Sequence, residues 1–220
     1  MNIVELDRQK CIDGSIDIFL RTSGLFQEGK KFDRMRKRAF VIKETAENMS
    51  DIHAMYEYYN DVALEGRTLH IKDKCFECNA FEMIDPAKVK GVYVYALTAG
   101  TYELDEAVID QVYADIWGNA FTDSARFMLK DIMAKDSTLS DSFGPGFYGM
   151  DITAVNDIDK LLDLGKIGVE IRDERIMVPL KSCAGMFLDI DGDYEPMNSQ
   201  CLDCKGNTVS CSYCMFGRNK

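Results

Sequence analysis

The chain has 220 residues, 46% of them hydrophobic and 29% charged, a balance that fits a folded globular protein with a sizeable core. Its net charge of −11 argues against nucleic acid or anionic membrane surfaces as main partners, because both reward basic patches. No apolar run is long enough to span a membrane and the N-terminus has no apolar signal segment, so the eight cysteines point to a reducing cytoplasm and to metal or redox use.

Within residues 1–30, Gly14, Gly24 and Gly29 are expected to break any long element. Gly24 to Lys31 nearly spells a phosphate-binding loop, but it lacks the Ser or Thr that would hold magnesium. Residues 32–48 predict an amphipathic helix, with Phe32, Met35, Ala39, Ile42 and Ala46 along one face. The basic run Lys30, Lys31, Arg34, Arg36, Lys37 and Arg38 reads as its solvated side. Residues 52–58 alternate in the manner of a strand, and Gly66-Arg67 predicts a hairpin turn into a second strand over Thr68–Ile71. Cys75 and Cys78 then form a Cys-x-x-Cys pair. They read equally as a metal half-site completed by Cys11 or Cys183 and as small core residues; a redox dithiol is the weaker reading, because the pair does not follow a strand at a helix N-terminus. His53 and His70, the two histidines, are expected on strand surfaces; His70 stands five residues before Cys75.

Gly91 to Ala99 is apolar and β-rich, which predicts a central, buried strand. Asp105 to Lys135 predicts a long helix capped by Asp105, with Gly118 marking close packing or a bend. Residues 142–149, SFGPGFYG, form an aromatic, glycine-rich loop. Its glycines let backbone approach a small molecule, and Phe147 and Tyr148 offer ring faces; the same composition also serves as a tight connection. Thr153 to Leu164 predicts a short helix ended by Gly165, followed by strands over 168–171, 176–178 and 183–190. Asp189 to Glu195 departs from a calcium loop in the position of its glycine and is read as a solvated acidic turn. The fold class that emerges is α+β, a central, mostly antiparallel sheet with packed helices. No catalytic constellation is legible.

The C-terminus carries the most specific signal. Cys201, Cys204, Cys211 and Cys214 make two Cys-x-x-Cys pairs around a Gly206-Asn207 turn. Four thiolates around one centre suit a 4Fe-4S cluster or tetrahedral zinc. The chain is therefore divided into an α+β domain over 1–195 and a Cys-rich, metal-binding tail over 196–220.

Three stretches carry a resemblance, in matching order. Val92 to Gly100 is similar to an apolar strand ending in Thr-x-Gly; Ser142 to Phe147 stands where an Arg-x-x-Pro-Gly-Tyr loop is expected; Met177 to Gly185 is similar to a Pro-x-x-Ser-x-Ser-Gly segment. From about residue 52 onward the chain thus resembles the activation (reactivation) domain of cobalamin-dependent methionine synthase, in a stand-alone form. The resemblance implies an α+β fold that binds S-adenosylmethionine beside a corrinoid-carrying domain. There, one electron and a methyl group restore the oxidised cobalamin. It implies Ser142, Pro145, Gly146, Phe147 and Phe187 as cofactor-binding positions. Three of these depart from the family: Ser142 replaces an Arg, and Phe147 and Phe187 replace tyrosines. A hydroxyl does not reproduce a planar guanidinium.

The expected function is that of an accessory protein in a corrinoid-dependent methyltransferase system, assisting reductive reactivation by electron transfer through a C-terminal iron–sulfur cluster. The alternatives are an S-adenosylmethionine-binding reactivation factor acting in trans, and a non-catalytic module that binds a corrinoid protein and holds a structural zinc. The expected partners are a corrinoid-binding protein, or a methionine synthase lacking its activation domain, which supplies the corrinoid, and an electron-donor protein.

Overall fold

A computed structural model of the chain describes residues 1–104 and 107–196. Asp105, the expected helix cap, and the four tail cysteines Cys201, Cys204, Cys211 and Cys214 lie outside the described residues.

The first thirty residues depart from expectation. After a short strand β1 (Asn2–Val4) comes a 15-residue helix α1 (Arg8–Thr22) that continues through Gly14. Asp7 caps it by accepting from the Lys10 N–H, and Ile12, Ser15 and Phe19 form its buried side. A Cβ on Gly14 would meet Ser124 Oγ at 2.6 Å. The absent side chain lets a second helix lie close, so tertiary packing overrides the cost of about 1 kcal/mol that glycine carries in a helix.

Helix α2 (Lys30–Met49) follows the expected amphipathic pattern, burying Ala39, Ile42 and Ala46. Next come β2 (His53–Tyr59) and the hairpin of β3 (Val62–Glu65) and β4 (Thr68–Ile71), turning at Gly66-Arg67 as expected. Strand β5 (Lys74–Glu77) completes a small three-stranded sheet. The central strand β6 (Val89–Thr98) leads to the long helix α3 (Val108–Met133), which runs unbroken through Gly118. A Cβ there would lie 2.5 Å from the Tyr102 ring, so this glycine marks close packing.

The chain continues through β7 (Thr138–Leu139), α4 (Val155–Leu162), β8 (Glu170–Arg172), β9 (Ile176–Val178) and β10 (Ser182–Ile190). Helix α4 ends before Gly165, at Asp163 in the left-handed region with φ 59°. Asp159 ties off that end: its carboxylate accepts from the Leu164 N–H at 2.8 Å and its carbonyl from the Asp163 N–H at 2.6 Å.

The main sheet has the order β1-β2-β6-β10-β7, with every neighbouring pair antiparallel. This is the α+β arrangement expected. Side chains alternate across it. One face packs Ala54, Tyr95, Leu97 and Phe187 against Ala125, Leu129 and Met133 of α3. The other packs Val92, Val94, Ala96, Met186 and Leu188 with the small sheet and with Ile158 and Leu162 of α4. A third cluster joins α1, α2 and α3 around Trp117. Its indole stacks on Phe19 at 3.7 Å between centroids and donates to the Ala39 carbonyl at 2.9 Å.

Asp189 is not in a solvated turn. It lies buried near the end of β10, paired with Lys90 Nζ at 3.1 Å and accepting from the Tyr58 hydroxyl at 3.0 Å. Burial, then the bond to Asp189, pushes the Tyr58 phenol up to about 12. Among the described residues no helix is long and apolar enough to cross a membrane.

Candidate functional site

Residues 140–144 run along β10 as an irregular extra edge. The Phe143 N–H donates to the Met186 carbonyl at 2.9 Å, and the Met186 N–H donates back at 2.7 Å. Earlier in the same segment, Ser140 Oγ accepts from the Leu188 N–H at 2.8 Å. Two glycines make this approach possible. A Cβ on Gly144 would lie 2.7 Å from the Ala184 carbonyl oxygen, and one on Gly185 would lie 2.5 Å from that of Phe143. Both contacts are with backbone, which cannot swing away. The Phe143 ring anchors the loop from below, edge-on to Phe81 at 5.1 Å and to Tyr148 at 5.6 Å.

Past this anchor the loop turns outward. Gly146 adopts φ 86°, where a side chain would be strained, and its N–H donates to the Met150 carbonyl at 3.0 Å. Pro145 stands just before it. Of the two rings expected to offer faces, Phe147 is 56% exposed and Tyr148 is buried. The loop therefore presents a single aromatic face on a backbone clamped to a strand.

Ser142 and Phe187 lie on the helix-covered side of the sheet, joined through Tyr95. The hydroxyls of Ser142 and Tyr95 are 2.7 Å apart, and the Tyr95 ring stacks on Phe187 at 4.9 Å with 22° between planes. Phe187 is 1% exposed, and Lys130 Nζ stands 5.4 Å from its ring centre. Cys183 points to the same face, within hydrogen-bonding reach of Tyr95. Arg126 of α3 exerts its charge on both Tyr95 and Cys183, and is held by Asp123 at 2.9 Å. Burial keeps the Tyr95 phenol well above its usual range and pushes the Cys183 thiol up to about 12. Burial also lowers Lys130.

The result is a polar seam of Tyr95, Ser142 and Cys183 beneath two cations, Arg126 and Lys130, with the exposed Phe147 on the adjoining loop. Arg126 and Lys130 are spaced i, i+4 on one helix, a signal present in the sequence. Only the fold sets that helix face against β10.

The cysteines separate. Cys75 is exposed on β5, whereas Cys78 is buried in the core beneath the small sheet. Cys11 is buried against Met128, Sγ to Sδ 3.2 Å, and burial pushes its thiol up to about 11. Cys11 and Cys183 pack on the α3 side of the main sheet and Cys78 on the opposite side. No group of three or more His, Cys, Asp or Glu residues positioned to hold a metal occurs among the described residues. The half-site in which Cys75 and Cys78 pair with Cys11 or Cys183 is therefore not formed. His53 is exposed, as expected, with Nε2 at 2.8 Å from Asp51 Oδ1. Two surface grooves lie away from the loop. One, of about 490 Å³, runs between α1 and α3 beside Gly14, Ser124 and Met128; the other, of about 380 Å³, lies between α2 and α3 beside Arg34 and Ile109.

No protein-family model matches the chain, and no curated protein matches it. Among solved structures, the chain is similar to the MetH reactivation domain, seen in a crystal structure bound to AdoHcy. The TM-score is 0.66 and the identity 14%, over 88% of this chain and 80% of that chain. At that level of identity the likeness is one of architecture: the chain has the fold of the MetH reactivation domain.

Proposed function

We propose that the chain is an accessory protein of a corrinoid-dependent methyltransferase system, assisting reductive reactivation of a cobalamin held by a partner. The observation that carries this reading is the shared fold over 88% of the chain, with a glycine-clamped loop beside β10. The partner is a corrinoid-binding protein, or a methionine synthase that lacks its own activation domain.

The site suits a ligand of the S-adenosylmethionine type in part. Phe147 offers an exposed face for an adenine ring, with Pro145 and Gly146 shaping the turn that presents it. Ser142 supplies no charge for the ligand's carboxylate, and this reading assigns that role to the α3 cations Arg126 and Lys130, which stand over the seam. Such a ligand contributes a methyl group on a sulfonium; this chain's residues bind and orient it. Calorimetry decides this layer: binding of S-adenosylmethionine or its demethylated product is expected, and absence of heat up to millimolar ligand rules it out.

The tail, residues 196–220, is read as a separate metal-binding unit. Four thiolates at Cys201, Cys204, Cys211 and Cys214 suit a 4Fe-4S cluster, which would supply the electron that an oxidised corrinoid needs. Anaerobically purified protein is then brown and contains iron and sulfide. A colourless protein with one zinc removes electron transfer and leaves a structural tail. For the function as a whole, the chain is mixed with a corrinoid protein in the Co(II) state and a reductant, and the corrinoid spectrum is followed. Faster loss of Co(II) is expected; an unchanged rate at equimolar protein overturns the proposal.

A second reading is favoured by one observation. Ser142 is engaged by Tyr95 and Phe187 is buried, so two expected ligand positions are already occupied with internal contacts. Under this reading the chain keeps the fold as a docking module for the corrinoid protein. Co-purification with that protein, without any effect on its cobalt, identifies this case.

A further inference from the structure

The outer face of the small sheet carries a thiol–imidazole pair, apart from the polar seam. Strands β4 and β5 pair antiparallel with His70 directly opposite Cys75. Their neighbours Leu69, Ile71 and Phe76 are buried beneath the sheet, so alternation turns His70 and Cys75 to the other face. Side chains opposite one another across a ladder have Cβ atoms about 5 Å apart. Here Cys75 Sγ and His70 Nδ1 approach to 3.2 Å. Only Lys72 and Asp73 separate the paired residues Ile71 and Lys74, so this tight turn fixes the register and holds the pair together without help from a distant element.

Cys75 is also the one exposed thiol among the described cysteines. Cys11 and Cys183 are both pushed upward by burial, to about 11 and about 12, and so present little thiolate at neutral pH. Cys78 is buried in the core at 1% exposure. It cannot meet Cys75 in a disulfide without leaving that core, so the Cys-x-x-Cys spacing does not act as a dithiol here.

We propose that Cys75 is a thiol-modification site that reacts with low-molecular-weight disulfides, with His70 as its proton acceptor. With the ring proton on Nε2, Nδ1 takes the proton from Sγ as the sulfur attacks one sulfur of the disulfide. A new S–S bond forms to Cys75 and the S–S bond of the reagent breaks. The departing thiolate takes the proton from the imidazolium and leaves as a free thiol. The reagent is the oxidant, and one small thiol remains on the protein. Because Cys78 is buried, the exchange stops at this mixed disulfide. The adduct sits on the strand that leads directly to Asn79, whose N–H donates to the Tyr148 carbonyl of the candidate ligand loop at 2.8 Å.

The test uses the full chain, incubated at pH 7 with iodoacetamide for timed intervals or with glutathione disulfide, and mapped peptide by peptide by mass spectrometry. Cys75 is expected to label faster than Cys11, Cys78 and Cys183, and to gain one glutathione. The His70→Asn variant is expected to slow Cys75 by about tenfold or more while leaving the other thiols unchanged. Far-UV circular dichroism confirms that the variant is folded, and Cys75→Ser removes the adduct. The proposal is overturned if Cys75 labels at the same rate in His70→Asn as in the parent, if it labels no faster in the folded chain than in urea, or if glutathione disulfide yields a Cys75–Cys78 disulfide.

Discussion

Towards α4 and the small sheet, the central sheet buries Val92, Val94, Ala96, Met186 and Leu188 against Phe81, Phe143 and Ile158, an apolar interior throughout. Towards α3, the same two strands bury Tyr95 and Phe187 beside Cys183, and Ser142 and Arg126 close a polar seam over them. One pair of strands therefore serves two purposes, separated by the alternation of side chains. The apolar face holds the loop at Phe143, and the polar face gathers the groups proposed to meet a ligand. Because Gly144 and Gly185 bring loop and strand backbones into direct contact, damage to the apolar face is expected to reach the polar one.

Four measurements separate the two faces. The largest effect is expected for Phe143→Ala, which removes a fully buried ring from the apolar side; the loss of stability in urea unfolding is about 3–5 kcal/mol. Gly185→Ala follows, at about 1–3 kcal/mol, because its Cβ meets the Phe143 carbonyl at 2.5 Å. It is expected to displace the loop and abolish ligand binding in calorimetry even where the fold survives. Arg126→Ala acts on the polar side; under the proposed ligand reading it weakens S-adenosylmethionine binding about tenfold, roughly 1.4 kcal/mol, with a smaller loss of stability than Phe143→Ala. If Arg126→Ala destabilises the fold as strongly as Phe143→Ala, the division between the faces fails.

The smallest effect is a pH dependence. Burial raises the Cys183 thiol from 9.0 to about 12, so the folded chain keeps a proton that the unfolded chain releases. That contribution is fully present below pH 9 and is lost as the pH rises towards 12. The urea midpoint is expected to fall as pH rises above 9, and to fall less steeply in Cys183→Ser. Equal slopes for the two proteins would remove Cys183 from the buried seam.

Much of the fold is legible in the chain itself. The alternation in residues 52–58, the apolar run from Gly91 to Ala99, the helical repeat over 32–48 and the Gly66-Arg67 turn each encode an element through local geometry, and each element is present. The glycine-rich loop was also recognisable, since Gly, Pro and aromatic residues in close order constrain backbone wherever they stand. Its closing partner on β10 was not, because the contact of Gly144 with Ala184 joins residues far apart in the chain.

Local pattern determined the antiparallel α+β class and the positions of the loop and the tail cysteines. Only the tertiary structure decided that α1 passes through Gly14, that Asp189 is buried, that Arg126 and Lys130 face β10, and that Cys75 meets His70 while Cys78 enters the core. The physical reason is shared. Periodicity states which way a side chain points along its own element, but strand register and helix packing determine what it meets there.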